Sequence, residues 1–81
     1  MKALRSATAR AVADVISKTR IGKHLTQRDL AVRLRRPHSV VGMIESHQRQ
    51  VSVPEFITIA ETLGADPVAL LRKVLQSRAA R

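Results

Sequence analysis

The chain has 81 residues, which allows one small domain, and Phe56 is its single aromatic residue, so the core is expected to be aliphatic. It has no cysteine, which excludes disulfides and thiolate metal sites, and no apolar run near the roughly 20 residues that span a bilayer. Fifteen basic residues against six acidic ones give a net charge of +9, which predicts a polyanionic partner, with nucleic acid favoured over an anionic membrane.

The alanine-rich N-terminal segment predicts a first helix over residues 4–21, and Gly22 is placed to end it. One face of this helix carries residues at the i, i+3, i+4 and i+7 spacing: Val12, Val15, Ile16 and Thr19. A mitochondrial transit peptide is a competing interpretation, because the segment is rich in Arg, Ser and Ala and has only Asp14 as an acid. Its removal would leave too little chain for a good core, which favours the structural helix.

Residues 27–34 predict a second helix, with Thr26 as its N-cap and Asp29 as the acid of a capping box. The sequence "RRP" then interrupts the helical pattern, because the residue before a proline is disfavoured in the helical region. Pro37 is expected to open a third helix over residues 37–46, since its missing N–H would have no partner in a first turn anyway.

After the polar loop "SHQRQVS", two more helices are predicted over residues 53–63 and 67–77, and residues 78–81 are expected to fray. Residues typical of helix ends bound both helices: Ser52 with Glu55, Gly64, Asp66 and Pro67. No segment shows the alternating pattern of a strand. The sequence therefore predicts an all-α fold of five helices in a single domain over residues 1–81.

Patterns typical of catalytic or metal sites are missing from the sequence. His24, His38 and His47 stand 14 and 9 residues apart, outside the short helical spacings that build a metal site. The three glycines are isolated, so there is no glycine-rich phosphate loop. We therefore expect no enzyme, no cofactor, no metal and no small-molecule ligand.

Two short helices joined by a tight turn in a basic, helical chain predict a helix-turn-helix at helices 2 and 3. The segment "PHSVVGMIE" carries no charge before Glu45, although arginines flank it on both sides: Arg33, Arg35, Arg36 and Arg49. Base-reading side chains other than arginine are mostly uncharged, whereas charged groups hold phosphates. This division favours DNA binding over the alternative, a basic helical bundle that binds another protein.

The segments "LTQRDLAVRL", "RRP" and "HSVVGMIESHQRQVSVPEFITIAETLGADPVALL" together resemble the lambda-repressor/Cro-like, or Xre-type, helix-turn-helix family, from about Arg20 to Leu71. The resemblance implies a transcriptional repressor, cytoplasmic and of bacterial or phage type, that binds inverted-repeat operator DNA as a homodimer. Two alternatives stay open: an antitoxin-like protein-binding module with accessory DNA binding, and sequence-independent binding to DNA or RNA through charge.

By position, the resemblance implies roles for individual residues. The implied base contacts come from helix 3, at His38, Ser39, Gly42 and Met43. Phosphate contacts are expected from the surrounding residues Thr26, Gln27, Arg36, Ser46 and Arg49. A salt bridge between Arg20 and Glu45 would join helix 1 to helix 3.

Two further expectations concern backbone strain and assembly. Arg35 and His47 stand where the family commonly has glycine, so a left-handed backbone at Arg35 would cost roughly 1–2 kcal/mol. The apolar stripe of helix 5 is a candidate dimer surface, and burial inside one molecule is the equal alternative. That stripe consists of Leu70, Leu71, Val74 and Leu75.

Overall fold

The computed structural model describes residues 6–79, and within this range it contains five α-helices and no strand. The five-helix, all-α prediction is confirmed. The helices, in chain order, are α1 (Ala7–Gly22), α2 (Gln27–Leu34), α3 (His38–Glu45), α4 (Val53–Thr62) and α5 (Pro67–Ala79).

Six helix ends differ from the prediction: the ends of α1, α3 and α4 by a single residue, and the starts of α1 and α3 and the end of α5 as follows. The side chain of Ser6 accepts the Ala9 N–H at 3.2 Å, so Ser6 is an N-cap and α1 begins after it; predicted positions 4 and 5 lie outside the described residues. Pro37 is the N-cap of α3 rather than its first helical residue. α5 continues to Ala79, so residues 78 and 79 are helical where fraying was predicted, and residues 80 and 81 lie outside the described range.

The start of α2 has a complete capping box. Thr26 Oγ1 accepts the Asp29 N–H at 3.0 Å, and Asp29 Oδ2 accepts the Thr26 N–H at 2.8 Å. Hydrogen bonding to the Thr26 backbone and side chain holds the pKa of Asp29 below its ordinary value. α4 has half of such a box, because Ser52 accepts the Glu55 N–H while the Glu55 carboxylate binds Arg49 instead.

The lowered pKa of Asp29 predicts a pH-dependent contribution to stability. Its charged form stabilises the fold above its ordinary pKa, and this contribution is lost as the pH falls through the lower folded-state pKa. Asp29→Asn should therefore lower the free energy of unfolding at pH 7, and the difference from wild type should shrink below about pH 4. Urea unfolding across this pH range measures it, with the exposed Glu61→Gln as control. A difference that does not change with pH would contradict the assignment.

The core lies where α1 packs along α5, α2 packs against α3, and α4 contacts both α2 and α5. It is aliphatic, and burying each of its large side chains contributes roughly 1.5–3 kcal/mol. The largest fully buried side chains are Ile16, Leu30, Val41, Ile44, Ile59, Leu70 and Val74.

The candidate dimer surface on α5 needs correction. Leu70 and Val74 are only 2% and 0% exposed, so they belong to the core of one molecule. Leu71 and Leu75 are 48% and 44% exposed. Each pair is an i, i+4 row, and the two rows lie one residue, or about 100°, apart around the helix. Only the second row is open to a partner.

The turn between α2 and α3 is closed by a left-handed residue, Arg35, with φ 55° and ψ 44°. The Arg35 N–H donates to the Val32 carbonyl and the Arg36 N–H to the Ala31 carbonyl, so two carbonyls at the end of α2 are satisfied. His24 and His47 also have positive φ values of 60° and 67°. The strain expected at Arg35 is therefore present, and His24 is a further site that the sequence did not indicate.

Replacing Arg35 with glycine should raise the free energy of unfolding by about 1 kcal/mol, because glycine adopts the left-handed conformation without steric cost. Arg33→Gly is the matched control, since Arg33 is an exposed arginine inside α2, where glycine costs about 1 kcal/mol. Urea unfolding of both variants should give shifts of opposite sign. Destabilisation by both would show that Arg35 makes contacts worth more than its strain.

Candidate nucleic-acid interface

One side of α3 packs into the core and the other faces outward. The inward side carries Val40, Val41 and Ile44, all buried. The outward side carries the four residues predicted to contact bases, at i, i+1, i+4 and i+5 spacing: His38, Ser39, Gly42 and Met43. The first two are exposed and the last two are half-buried. The fold thus brings all four to one uncharged face, called here the outward face of α3.

The residues predicted to contact phosphates differ in the exposure of their side chains and in the hydrogen bonds that these side chains already make. Thr26 is exposed, and its side-chain oxygen accepts the Asp29 N–H at the start of α2. Arg36 is exposed in the turn before α3. The Ser46 hydroxyl donates to the Met43 carbonyl at 3.3 Å. Arg49 is half-buried, and its Nη2 donates to Glu55 Oε2 at 3.0 Å, so this guanidinium is held against the start of α4.

Arg20 and Glu45 form a bidentate ion pair that joins α1 to α3. Arg20 Nε donates to Glu45 Oε2 at 2.7 Å, and Nη2 donates to Oε1 at 2.9 Å. The Arg20 and Glu45 side chains are only 11% and 6% exposed. The hydrogen bond to Glu45 raises the pKa of Arg20, and this outweighs the opposing effect of burial. The pair fixes α3, and with it the outward face, against the body of the fold.

Two contacts of this region were missed by the sequence analysis. Gln27 Nε2 donates to Glu45 Oε1 at 3.1 Å, so α2 joins the same network. His47 Nε2 lies 2.8 Å from Asp14 Oδ1 and ties the loop after α3 to α1. The partners are 18 and 33 residues apart in the chain, and no local pattern pairs residues at such separations.

Most acidic side chains are hydrogen-bonded within the fold, and this leaves the surface with an excess of free basic side chains. Five of the six acidic residues accept hydrogen bonds inside the fold, from His47, Thr26, Arg20, Arg49 and the Ala69 N–H. Around the turn into α3, exposed cations remain on α2 and on the turn itself: Arg28, Arg33, Arg35 and Arg36. These four exposed arginines, called here the basic rim, precede the neutral outward face of α3 in the chain.

Among residues 6–79, no three His, Cys, Asp or Glu side chains are placed to hold a metal ion. No helix within the described range is long and apolar enough to cross a membrane.

Neither the models of known protein families nor the curated proteins include a match to this chain. Solved structures do match. The wild-type restriction-modification controller protein C.Esp1396I superposes with a TM-score of 0.88 at 23% identity, covering 95% of this chain and 100% of that one. The clp gene regulator ClgR from C. glutamicum gives 0.81 at 24% identity, covering 94% and 97%. At these identities the likeness is one of fold.

A third structure carries more information because its sequence is also similar. The XRE-family like protein from Pseudomonas syringae pv. tomato str. DC3000 is 37% identical, with a TM-score of 0.79. The match covers 86% of this chain and 85% of that one. On this similarity, the chain belongs to the XRE family of helix-turn-helix regulators.

Proposed function

We propose that this protein binds double-stranded operator DNA in a sequence-specific way and represses transcription as a homodimer. The observation that carries the proposal is the neutral outward face of α3 together with the basic rim on α2 and the turn. A major groove about 12 Å wide accepts one helix, whose uncharged side chains then meet base edges. The rim cations would then hold the phosphates that flank the groove.

The role of each residue in DNA binding is proposed from the exposure and the chemistry of its side chain. His38 and Ser39 are the exposed polar residues of the outward face and read base edges, while Met43 offers an apolar contact to a thymine methyl. Thr26 and Arg36 hold phosphates, with Ser46 beside them. Arg49 has a smaller part in phosphate binding than its charge suggests, because Glu55 already neutralises it.

The structural relatives support this proposal through their own partners. C.Esp1396I, which matches this chain with a TM-score of 0.85 at 24% identity, was solved as a tetramer in complex with its natural 35 base-pair operator. ClgR is described as a clp gene regulator. The same fold is thus used on DNA and in gene regulation elsewhere, and DNA binding would place this protein in the cytoplasm of a bacterium or a phage-infected cell.

The homodimer is proposed to form through one apolar face of α4 and α5. Four exposed aliphatic side chains rim a groove there: Val53, Ile57, Val68 and Leu71. None of the residues lining this groove is charged. Because each copy carries a net charge of +9, two copies repel each other wherever cations meet, and this uncharged face lets them approach. A symmetric contact also buries aliphatic surface that a monomer leaves in water.

Repression would follow because the bound homodimer occupies promoter DNA. A homodimer presents two α3 helices, and each would read one half-site of an inverted repeat, with centres about 34 Å or a multiple apart. A protein bound across promoter DNA excludes polymerase without any catalytic step. No enzymatic activity is therefore part of the proposal.

The proposed function is tested by measuring binding to duplex DNA from upstream of the protein's own gene and to a scrambled duplex of equal composition. We expect affinity for the upstream duplex to exceed that for the scrambled one by about 10³-fold or more at physiological salt. Both affinities should fall as salt rises, because phosphate contacts release counterions. Equal affinities for the two duplexes at every salt concentration would contradict sequence-specific regulation.

A further inference from the structure

The side-chain amide of Gln27, the first residue of α2, lies beside Gly42 on the outward face of α3. Its Nε2 is 3.1 Å from Glu45 Oε1, and a Cβ built on Gly42 would lie 3.7 Å from its Oε1. Position 42 is central among the outward positions 38, 39, 42 and 43. A side chain at position 42 would therefore lie in contact with the Gln27 amide.

The neighbouring ion pair fixes which way the Gln27 amide faces. The Glu45 carboxylate is bound by two N–H groups of Arg20 and can only accept hydrogen bonds. The amide oxygen of Gln27 would be repelled by it, so an amide N–H must point at Glu45. This settles the assignment of the amide nitrogen and oxygen, which side-chain shape alone leaves open. The oxygen is thereby directed towards Gly42.

The atoms of the Gln27 amide that do not bind Glu45 are complementary in hydrogen bonding to one base. A primary amide has two N–H groups, and only one of them is needed for Glu45. If Glu45 accepts the N–H anti to Oε1, the other N–H and Oε1 form a donor and an acceptor side by side. Adenine presents the complementary pair in the major groove, because its N6 amino group donates and its N7 accepts.

We propose that Gln27, reaching across from α2, reads an adenine at the place where α3 itself carries only Gly42. This differs from the phosphate contact expected for Gln27 from the family resemblance. An uncharged amide N–H can donate to a phosphate, as the hydroxyls of Thr26 and Ser46 are proposed to do, but the paired donor and acceptor of an oriented amide edge also discriminate between bases. The inference rests on the proposed DNA binding and adds a specificity-determining residue from outside α3.

The test selects preferred sites from a library of duplexes with a random central segment. Four proteins are compared: the wild type, Gln27→Ala, Gly42→Leu, and Gln76→Ala as a control glutamine exposed on α5. The wild type should prefer A·T at one base pair by about 10-fold or more. Gln27→Ala should lose this preference, keep the preferences at other positions, and leave the salt dependence of binding unchanged. Gln76→Ala should match the wild type.

Gly42→Leu tests the same idea without removing Gln27 or its bond to Glu45. A leucine side chain on α3 would cover the amide edge, while the helix itself tolerates the change, because a Cβ at position 42 makes ordinary contact. It should abolish the preference for the same A·T pair. Thermal unfolding confirms that each variant is folded before selection.

Other outcomes overturn the inference. Uniform weakening of all sequences by Gln27→Ala, with the base preferences intact, would assign Gln27 to a phosphate. Unchanged preferences in both Gln27→Ala and Gly42→Leu would remove Gln27 from the interface. A wild-type protein with no base preference at any position would overturn the proposed function itself, and is recognised before any variant is compared.

Discussion

Replacing Glu45 with alanine should lower the free energy of unfolding by about 3 kcal/mol, the largest stability effect expected of any charged residue described. The loss arises because Arg20 would keep its charge in a site where its side chain is only 11% exposed, with no carboxylate opposite. Gln27 would lose the acceptor that orients its amide. The same change should therefore destabilise the fold and disturb the outward face of α3.

Urea and thermal unfolding measure this effect, and a loss of about 3 kcal/mol corresponds to a fall in Tm of roughly 12–24 °C in a domain of this size. Glu61→Ala is the matched control, because Glu61 is an exposed glutamate on α4 and its removal should change stability by no more than about 0.5 kcal/mol. If Glu45→Ala cost less than about 1 kcal/mol, the Arg20–Glu45 pair would behave as a solvated surface pair.

The second large effect is expected at the apolar face of α4 and α5. Val68→Asp should raise the dissociation constant of the dimer by about 100-fold or more, because an aspartate would be buried without a partner in the contact. The folded monomer should tolerate the change, since Val68 is 60% exposed within one molecule. Operator affinity should fall with dimerisation, because each separated subunit binds only one half-site.

Sedimentation equilibrium of the wild type and the variant measures this change directly. Ile21→Asp is the control, since Ile21 is an equally exposed aliphatic residue at the end of α1, away from the apolar face. It should leave the dimer intact. A wild-type protein that stays monomeric while it saturates operator DNA would contradict the proposed dimer, and an unaffected Val68→Asp dimer would place the contact elsewhere.

The helices were predictable because their signals are local. Thr26 with Asp29 and Ser52 with Glu55 mark helix starts within four residues of chain, and Gly64 has the left-handed backbone expected after a helix. The errors at helix ends have a local cause too. A serine or proline near a helix start fits either the cap or the first turn, and only its backbone angles decide which.

The site was predictable only in part. The outward face of α3 follows from helical spacing, because the apolar positions of one short segment already define its inward side. The two rows of α5 could not be distinguished in this way, since Leu70 with Val74 and Leu71 with Leu75 are equally apolar and only packing against α1 separates them. Contacts between distant segments, such as that of Gln27 with Glu45, required the folded structure.

In the proposed function, the outward face of α3 reads bases while the neighbouring arginines hold phosphates. The most direct test of these roles compares His38→Ala with Arg36→Ala on the operator duplex and a scrambled duplex, across salt. Arg36 is chosen over Arg49 because it is exposed, whereas Arg49 is hydrogen-bonded to Glu55.

His38→Ala should weaken binding to the operator duplex by about 10-fold and leave binding to the scrambled duplex unchanged. Arg36→Ala should weaken both equally and reduce the salt slope by about one unit. Two variants that lose affinity for both duplexes in the same proportion would contradict these roles.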